Sequence, residues 1–218
     1  MRRPALKARL YVIIPESLVG TAEIADFVAS VVSAGVGIVQ YRAKQATTRQ
    51  MIIDCQRLLR ITRRRRVPLI VNDRVDVALA VGADGVHVGA EDMPVAYARR
   101  LMGPHAIVGA TAPTPDLARQ AQQGGASYVA VGPMFATPNA PHKSPVGPEQ
   151  IEVVRRACAL PICAIGGISI DNLAQVAEQK PDLIAVLGAV ANADDPGRAA
   201  SALVKAIEEL LGTGGPQL

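Results

Sequence analysis

An amide and two cations follow one apolar segment at regular spacing. The segment VGIVQYRAK carries Gln40, Arg42 and Lys44, each two residues from the next. Residues two apart point to the same face of a strand, so the three side chains would face one ligand. Cations away from water need a counter-charge, which makes an anion the natural partner. The alternative is an outward-facing strand end whose cations form surface salt bridges.

Acidic residues follow the next two apolar segments. VPLIVN ends in Asn72 and is followed by Asp73, whereas DGVHVG is followed by a loop that contains Glu91 and Asp92. Mg²⁺ usually takes one or two protein carboxylates together with phosphate oxygens and water. Carboxylates beside Arg and Lys therefore indicate a magnesium ion that bridges to a phosphate. For Asp73 taken alone, a helix N-cap is the alternative.

Further polar groups follow the later segments. AIVGAT ends with the hydroxyl of Thr111, and the segments AIGGIS and AVLGAV place glycines at two other turns. Backbone N–H groups in such turns often bind phosphate, although the glycines could serve the turns alone. His87 lies inside its own segment, and we expect it to fill the protein interior. One predicted site has cations and carboxylates suited to a magnesium-bound diphosphate, and the second suits a single phosphate. Together they predict a two-substrate reaction with diphosphate as the leaving group.

The segments that must position these groups are short, rich in Val and Ile, and mostly continuous. Such runs are typical of strands buried on both faces of a parallel sheet. There are eight, at residues 10–14, 36–41, 67–72, 84–89, 106–111, 127–132, 160–165 and 182–187. Helical patterns separate them, for example at 21–35, 114–125, 169–179 and 195–211. The alternation predicts an α/β fold, a single-domain (β/α)₈ TIM barrel, with chemistry at the carboxyl ends of the strands.

An open, doubly wound sheet is the structural alternative, but no GxGxxG follows the first strand. The chain has 218 residues, of which half are hydrophobic and 3% aromatic, and a net charge of +4. We predict one domain over 1–218, with flexible tails at 1–8 and 212–218. The arginine run 63–66 is interpreted as a helix C-terminus rather than a nucleic-acid patch, because aromatic residues for base stacking are scarce.

No apolar run reaches the roughly 18 residues of a membrane span, and the start lacks the apolar centre of a signal peptide. The three cysteines form no CxxC pair, which fits reduced thiols rather than disulfides or zinc. We therefore expect a cytoplasmic protein whose partners are small molecules, with no membrane or nucleic-acid partner. Oligomeric state does not follow from the sequence.

The sequence resembles the thiamine phosphate synthase family from its first strand to its last helix. The resemblance is carried by QYRAK, VNDRVDVALAVGADGVHVGAEDMP, VGAT, YVAVGPMF, AIGGIS and AVLGAV followed by DDP. It implies a transferase that joins 4-amino-5-hydroxymethyl-2-methylpyrimidine diphosphate to 4-methyl-5-(2-phosphoethyl)thiazole. Thiamine phosphate and diphosphate would be the products, and family chemistry implies a dissociative substitution in which diphosphate leaves first.

The resemblance also implies a role for each matching residue. Asp73 and Asp92 would bind Mg²⁺. The substrate-binding residues would be Gln40, Arg42, Lys44, Asn72, Thr111, Thr137, Asn139, Ala140, Gly167, Leu187 and Gly188. The catalytic residues, which stabilise charge on the departing diphosphate, would be Arg42, Lys44, Thr111 and Lys143.

One motif departs from the family pattern. After the sixth strand the family usually reads Thr-x-Thr-Lys, with the Lys gripping diphosphate, whereas residues 137–140 read Thr-Pro-Asn-Ala. Ala140 thus stands at the Lys position, and Lys143 could take over if the loop folds inward. At the eighth strand, Gly188 replaces a usual Ser.

Two other functions stay open. A thiazole tautomerase-like relative would share the barrel, but such relatives tend to lose the second carboxylate and to carry His where Pro133 stands. A non-catalytic paralogue that binds phosphate ligands is the other alternative, and Ala140 is its only argument.

Overall fold

Eight parallel strands close into a barrel in the computed structural model, which describes residues 6–218. Each strand pairs with its neighbours in sequence, and the last pairs with the first. The strands are β1 Leu10–Ile13, β2 Ile38–Tyr41, β3 Leu69–Asn72, β4 Gly85–Val88, β5 Ile107–Thr111, β6 Tyr128–Val131, β7 Ile162–Ile165 and β8 Leu183–Val186. The predicted (β/α)₈ barrel is therefore confirmed, with each strand falling inside its predicted segment.

Helices follow the strands and cover the outside of the barrel. They are α1 Ile24–Ser33, α2 Thr48–Arg65, α3 Val75–Val81, α4 Val95–Met102, α5 Pro115–Gln123, α6 Gln150–Arg155, α7 Leu173–Ala177, α8 Gly188–Ala191 and α9 Pro196–Leu211. The arginine run ends α2, as predicted. Simple alternation does not predict α8, a short extra helix directly after β8. Such a helix is common where barrels bind phosphate.

Side chains alternate between the inside of the barrel and the layer beneath the helices. Outward residues such as Val12 and Val39 join the large core between strands and helices. Inward residues such as Ile38 and Ile70 form a separate cluster in the barrel. The register sets Gln40 beside Ile13 and His87 beside Asn72. Polar side chains on the inward face therefore meet near the carboxyl ends of the strands.

The carboxyl-terminal segment returns to the start of β1. The N–H of Gly215 donates to the carbonyl of Leu6 at 2.8 Å, and the N–H of Leu6 donates to the carbonyl of Pro216 at 2.9 Å. Leu218 packs against the cluster inside the barrel. Part of the predicted amino-terminal tail, residues 1–5, lies outside the described residues, and the flexibility of 212–218 stays a prediction. None of the helices in 6–218 is both long and apolar enough to cross a bilayer.

Candidate active site

Two adjoining cavities open at the carboxyl ends of the strands. The first, which we call the carboxylate-side cavity, has a volume of about 420 Å³ and lies over β2 to β5. The second, the glycine-side cavity, has a volume of about 410 Å³ and lies over β6 to β8. Their common wall includes the predicted site residues Arg42, Thr111, Asn139, Ala140 and Lys143. This arrangement gives space for two ligands in contact with each other.

The carboxylate-side cavity brings together the predicted residues from the early strands. Gln40 and Asn72 are buried and point inward, whereas Arg42 is partly exposed. β2 ends at Tyr41, so the expectation that Gln40, Arg42 and Lys44 share one strand face is wrong for the two cations. They lie in the following loop and reach the same cavity from there.

Glu16 fixes the loop that carries Lys44. Its carboxylate accepts from the N–H of Lys44 at 2.8 and 3.0 Å and from the N–H of Gln45 at 3.1 Å. The ammonium of Lys44 in turn donates to the Asp73 carboxylate. A short 3₁₀ turn after β1, Glu16–Leu18, therefore positions the cation that follows β2.

Asp73 and Asp92 lie close together at the tips of β3 and β4. Asp73 has a φ of 63°, a left-handed conformation that Asp tolerates better than most residues, and its N–H donates to the carbonyl of His87 at 2.7 Å. Asp92 accepts from the N–H of Gly89 at 2.7 Å. Burial raises the pKa of Asp73 above its usual value; the Lys44 ion pair opposes this, and the Asp92 carboxyl raises the pKa further.

This pair suits a hard divalent cation, because a cation between the carboxylates would relieve their repulsion. Within residues 6–218, no group of three or more Asp, Glu, His or Cys side chains could hold a metal ion. Two carboxylates are what Mg²⁺ commonly takes from a protein when phosphate oxygens and water complete its shell. Glu91, at the same tip, is exposed and lines neither cavity.

Buried polar groups connect Gln40 to Thr111 beneath this cavity. The Gln40 amide N–H donates to the Tyr11 hydroxyl at 2.7 Å, which lies 3.0 Å from the Tyr128 hydroxyl. The Tyr128 hydroxyl is 2.9 Å from His87 Nδ1, and His87 Nε2 is 3.0 Å from Thr111 Oγ1. Burial lowers the pKa of His87 to about 4. His87 thus fills the barrel interior as expected, and it also contacts a candidate catalytic residue.

The glycine-side cavity is lined by Thr137, Gly167, Leu187 and Gly188, all of them predicted. Gly167 has a φ of 70°, and a Cβ there would lie 2.8 Å from the carbonyl oxygen of Ala136. The turn after β7 therefore needs glycine for both its conformation and its close approach to the β6 loop. Leu187 and Gly188 stand at the start of α8, where the first backbone N–H groups have no hydrogen-bond partner within the helix.

The loop after β6 carries Ala140 and Lys143 to the common wall. The N–H of Asn139 donates to Thr137 Oγ1 at 3.3 Å, and the N–H of Ala140 donates to the Thr137 carbonyl at 3.2 Å. A second turn links the Lys143 N–H to the Ala140 carbonyl. Lys143 is exposed and forms no ion pair with any residue of the described chain.

Sequence reasoning missed several residues of the two cavities. Tyr11, Tyr128 and His142 line the carboxylate-side cavity, and Ser169 and Asn192 line the glycine-side cavity. The tyrosines carry a usable signal, because each interrupts an aliphatic strand in a chain with only four tyrosines. Ser169 and Asn192 carry no comparable signal.

Comparison with known proteins points to one family. A family model described as thiamine monophosphate synthase matches residues 10–190. A thiamine-phosphate synthase of Chloroflexus aurantiacus is 47% identical over 196 residues, covering 89% of this chain and 90% of that protein. A homologue of the same name from Natronomonas pharaonis is 44% identical, covering 84% and 87%.

A solved structure points to the same family. The thiamine phosphate pyrophosphorylase of Pyrococcus furiosus is 37% identical and superposes with a TM-score of 0.85 over 94% of this chain and 98% of that one. These relatives match nearly the whole chain. The chain belongs to the thiamine monophosphate synthase family.

Proposed function

We propose that the protein is a thiamine phosphate synthase, a transferase acting on two small-molecule substrates. It would join 4-amino-5-hydroxymethyl-2-methylpyrimidine diphosphate to 4-methyl-5-(2-phosphoethyl)thiazole and release diphosphate. The observation that carries the proposal is the pair of adjoining cavities with a common wall. One cavity offers cations and carboxylates for a diphosphate, and the other offers glycine turns for a single phosphate.

The pyrimidine diphosphate would occupy the carboxylate-side cavity. Buried Gln40 and Asn72 supply amides for the ring, and Arg42 and Lys44 supply charge for the diphosphate. Bound by Asp73 and Asp92, Mg²⁺ would neutralise negative charge on the diphosphate. In this state Lys44 would turn from Asp73 towards the phosphate oxygens, a change that its exposed side chain allows.

The reaction would be a dissociative substitution. The bond between the pyrimidine methylene and the diphosphate oxygen breaks, and its electron pair leaves with the diphosphate. The cation left on the methylene is stabilised by the ring amino group, and the thiazole nitrogen lone pair then forms the new C–N bond. Arg42, Lys44 and the Thr111 hydroxyl would stabilise the charge that develops on the departing oxygen.

No side-chain nucleophile is required for this chemistry. Cys163 lies inside the barrel against the carboxylate-side cavity, but burial raises the pKa of its thiol far above neutral. A buried thiol of this kind is a poor nucleophile. Substrate positioning and charge stabilisation are therefore the protein's contribution.

The thiazole phosphate would occupy the glycine-side cavity. Thr137 and Asn139 would contact its phosphate from the β6 loop, and Gly167, Leu187 and Gly188 would contact it mainly through backbone N–H groups. Its ring nitrogen would then face the common wall. Ala140 leaves that wall without the family's lysine, and Lys143 would supply the missing charge.

We also propose a cytoplasmic location. Cys55, Cys158 and Cys163 are free and buried, which suits a reducing compartment. We propose neither a membrane partner nor a nucleic-acid partner.

The test mixes the purified protein with both substrates and Mg²⁺ and measures thiamine phosphate and diphosphate. Equal amounts of the two products, absent when either substrate is omitted, would support the proposal. Substrate binding without product would favour the non-catalytic paralogue. Rearrangement of a thiazole isomer without pyrimidine would favour the tautomerase-like enzyme.

A further inference from the structure

The barrel interior contains a continuous run of polar groups where apolar side chains would suffice for packing. Tyr11 and Tyr128 are 1% and 0% exposed, and His87 is 8% exposed. Buried polar groups are costly unless they are hydrogen-bonded. Each of these three has two hydrogen-bond partners within the run, which begins at Gln40 and ends at Thr111.

With the Gln40 amide nitrogen facing Tyr11 and every buried hydroxyl proton paired, donor counting allows this run one direction. The Gln40 amide nitrogen can only donate, so the Tyr11 oxygen accepts. The buried Tyr11 proton then needs an acceptor, and within the run that acceptor is the Tyr128 hydroxyl, which in turn donates its one proton to His87 Nδ1. A neutral imidazole that accepts at Nδ1 carries its proton on Nε2, so it donates to Thr111 Oγ1. The hydroxyl proton of Thr111 is thereby left for a partner in the cavity.

The β5 strand makes room for the middle of the run. A Cβ on Gly109 would lie 2.3 Å from the Tyr128 hydroxyl oxygen and 2.5 Å from His87 Nδ1. Any larger residue at this position would therefore separate the two groups. The His87 and Tyr128 rings also stack at 5.6 Å, and the Tyr11 and Tyr128 rings meet edge to face at 6.1 Å. Packing and hydrogen bonding thus fix the same geometry independently.

We propose that Tyr11, Tyr128 and His87 are positioning residues that form a one-way hydrogen-bond relay. The relay leaves the Gln40 carbonyl as an acceptor for the ligand and commits the Thr111 hydroxyl as a donor to the ligand. With the opposite tautomer of His87, the Thr111 hydroxyl would donate its hydrogen bond to Nε2 and would no longer be a donor to the ligand. The role of that donor towards a departing diphosphate rests on the proposed function, whereas the direction of the relay does not.

The direction can be measured without activity. The full chain is labelled with ¹⁵N in histidine, and one-bond ¹H–¹⁵N couplings identify the protonated nitrogen of each ring. His87→Gln assigns the His87 signal, and His105→Gln, an exposed residue at the opposite end of the barrel, is the matched control. We expect the His87 proton on Nε2. A proton on Nδ1 in the wild-type protein would overturn the relay.

Tyr128→Phe removes one hydroxyl while keeping the ring. We expect it to reduce the His87 preference for the Nε2-protonated form, because Nδ1 loses its donor. We also expect kcat to fall about threefold to tenfold, the scale of one neutral hydrogen bond, with KM nearly unchanged. Tyr97→Phe, which alters an exposed tyrosine on α4, is the control and should leave both measurements unchanged. Thermal unfolding identifies any Tyr128→Phe protein that is merely unfolded.

A double-mutant cycle tests whether the relay acts through Thr111. If it does, adding Tyr128→Phe to Thr111→Val should cost little beyond Thr111→Val alone, and Thr111→Ser should keep sensitivity to Tyr128→Phe. Fully additive losses would overturn the relay. A wild-type protein that makes no thiamine phosphate would defeat the proposed function, while the tautomer measurement would still decide the relay.

Discussion

The backbone N–H of Lys143 donates to the carbonyl oxygen of Ala140 at 3.1 Å, and both side chains line the wall between the two cavities. The family pattern has its lysine at position 140. The turn brings the cation of Lys143, three residues later in the chain, to the same wall. Lys143 forms no ion pair with residues 6–218, so it is available to an anionic ligand.

We predict that Lys143→Ala lowers kcat about 30- to 1000-fold, because one charged contact to a departing oxyanion contributes about 2–4 kcal/mol. The free energy of unfolding should hardly change, since the side chain is exposed. The measurement is steady-state formation of thiamine phosphate, beside thermal unfolding. Lys205→Ala, an exposed lysine on α9, is the control.

Lysine restored at position 140 gives the complementary test. Ala140→Lys in the Lys143→Ala background should recover part of the lost kcat, because the new side chain starts from the same wall. Kinetics unaffected by Lys143→Ala would remove this residue from the catalytic set.

The metal prediction concerns Asp73 and Asp92. Asp73→Asn and Asp92→Asn should each raise the Mg²⁺ concentration needed for half-maximal activity, because each removes one charged ligand. Chelation with EDTA should abolish wild-type turnover, and added Mg²⁺ should restore it. Asp116→Asn, an exposed carboxylate on α5, should leave the Mg²⁺ titration unchanged. Identical titrations for all three variants would argue against the carboxylate pair as the metal site.

Much of this site was predictable because all strands of a parallel barrel end at the same rim, so a residue that directly follows a strand is expected there. Asp73 and Asp92 each come just after a predicted strand, and the carboxyl ends of parallel strands share one rim. The apolar runs alone therefore placed them together. The same logic located Thr111 and Gly167, each at or just after the end of its strand.

The contacts inside the barrel were beyond sequence reasoning. Tyr11 and Tyr128 are 117 positions apart and meet only because β1 and β6 enclose the same interior. Their hydrogen bond depends on barrel closure and on the space left by Gly109, neither of which a local pattern encodes. The α8 helix was also missed, because its four residues are too few to show a helical period.

Glu16 gives a prediction about loop position rather than charge. Glu16→Ala should lower kcat/KM about tenfold, because the loop carrying Lys44 loses the acceptor for two N–H groups. Glu16→Gln keeps one acceptor oxygen and should lose less. Steady-state kinetics with both substrates provides the measurement, and Glu152→Ala, on the outer face of α6, is the control. A Glu16→Ala enzyme with wild-type kinetics would show that the loop holds its position without this contact.

Gly167 tests the proposed thiazole phosphate site, and Gly103, far from both cavities, is its matched control. Both have positive φ, 70° and 78°, but a Cβ on Gly103 would meet nothing within 4 Å, whereas a Cβ on Gly167 would lie 2.8 Å from the Ala136 carbonyl oxygen. Gly103→Ala should therefore cost only the conformational strain, roughly 1–3 kcal/mol in the free energy of unfolding, and leave kinetics unchanged.

Gly167→Ala should add a displaced turn to the same strain. The displacement moves the backbone that lines the glycine-side cavity, so KM for the thiazole phosphate should rise more than KM for the pyrimidine diphosphate. Separate titrations of the two substrates, with denaturant unfolding of both variants, provide the comparison. Equal rises in both KM values would point to a general distortion of the barrel mouth and against a dedicated thiazole phosphate site at this turn.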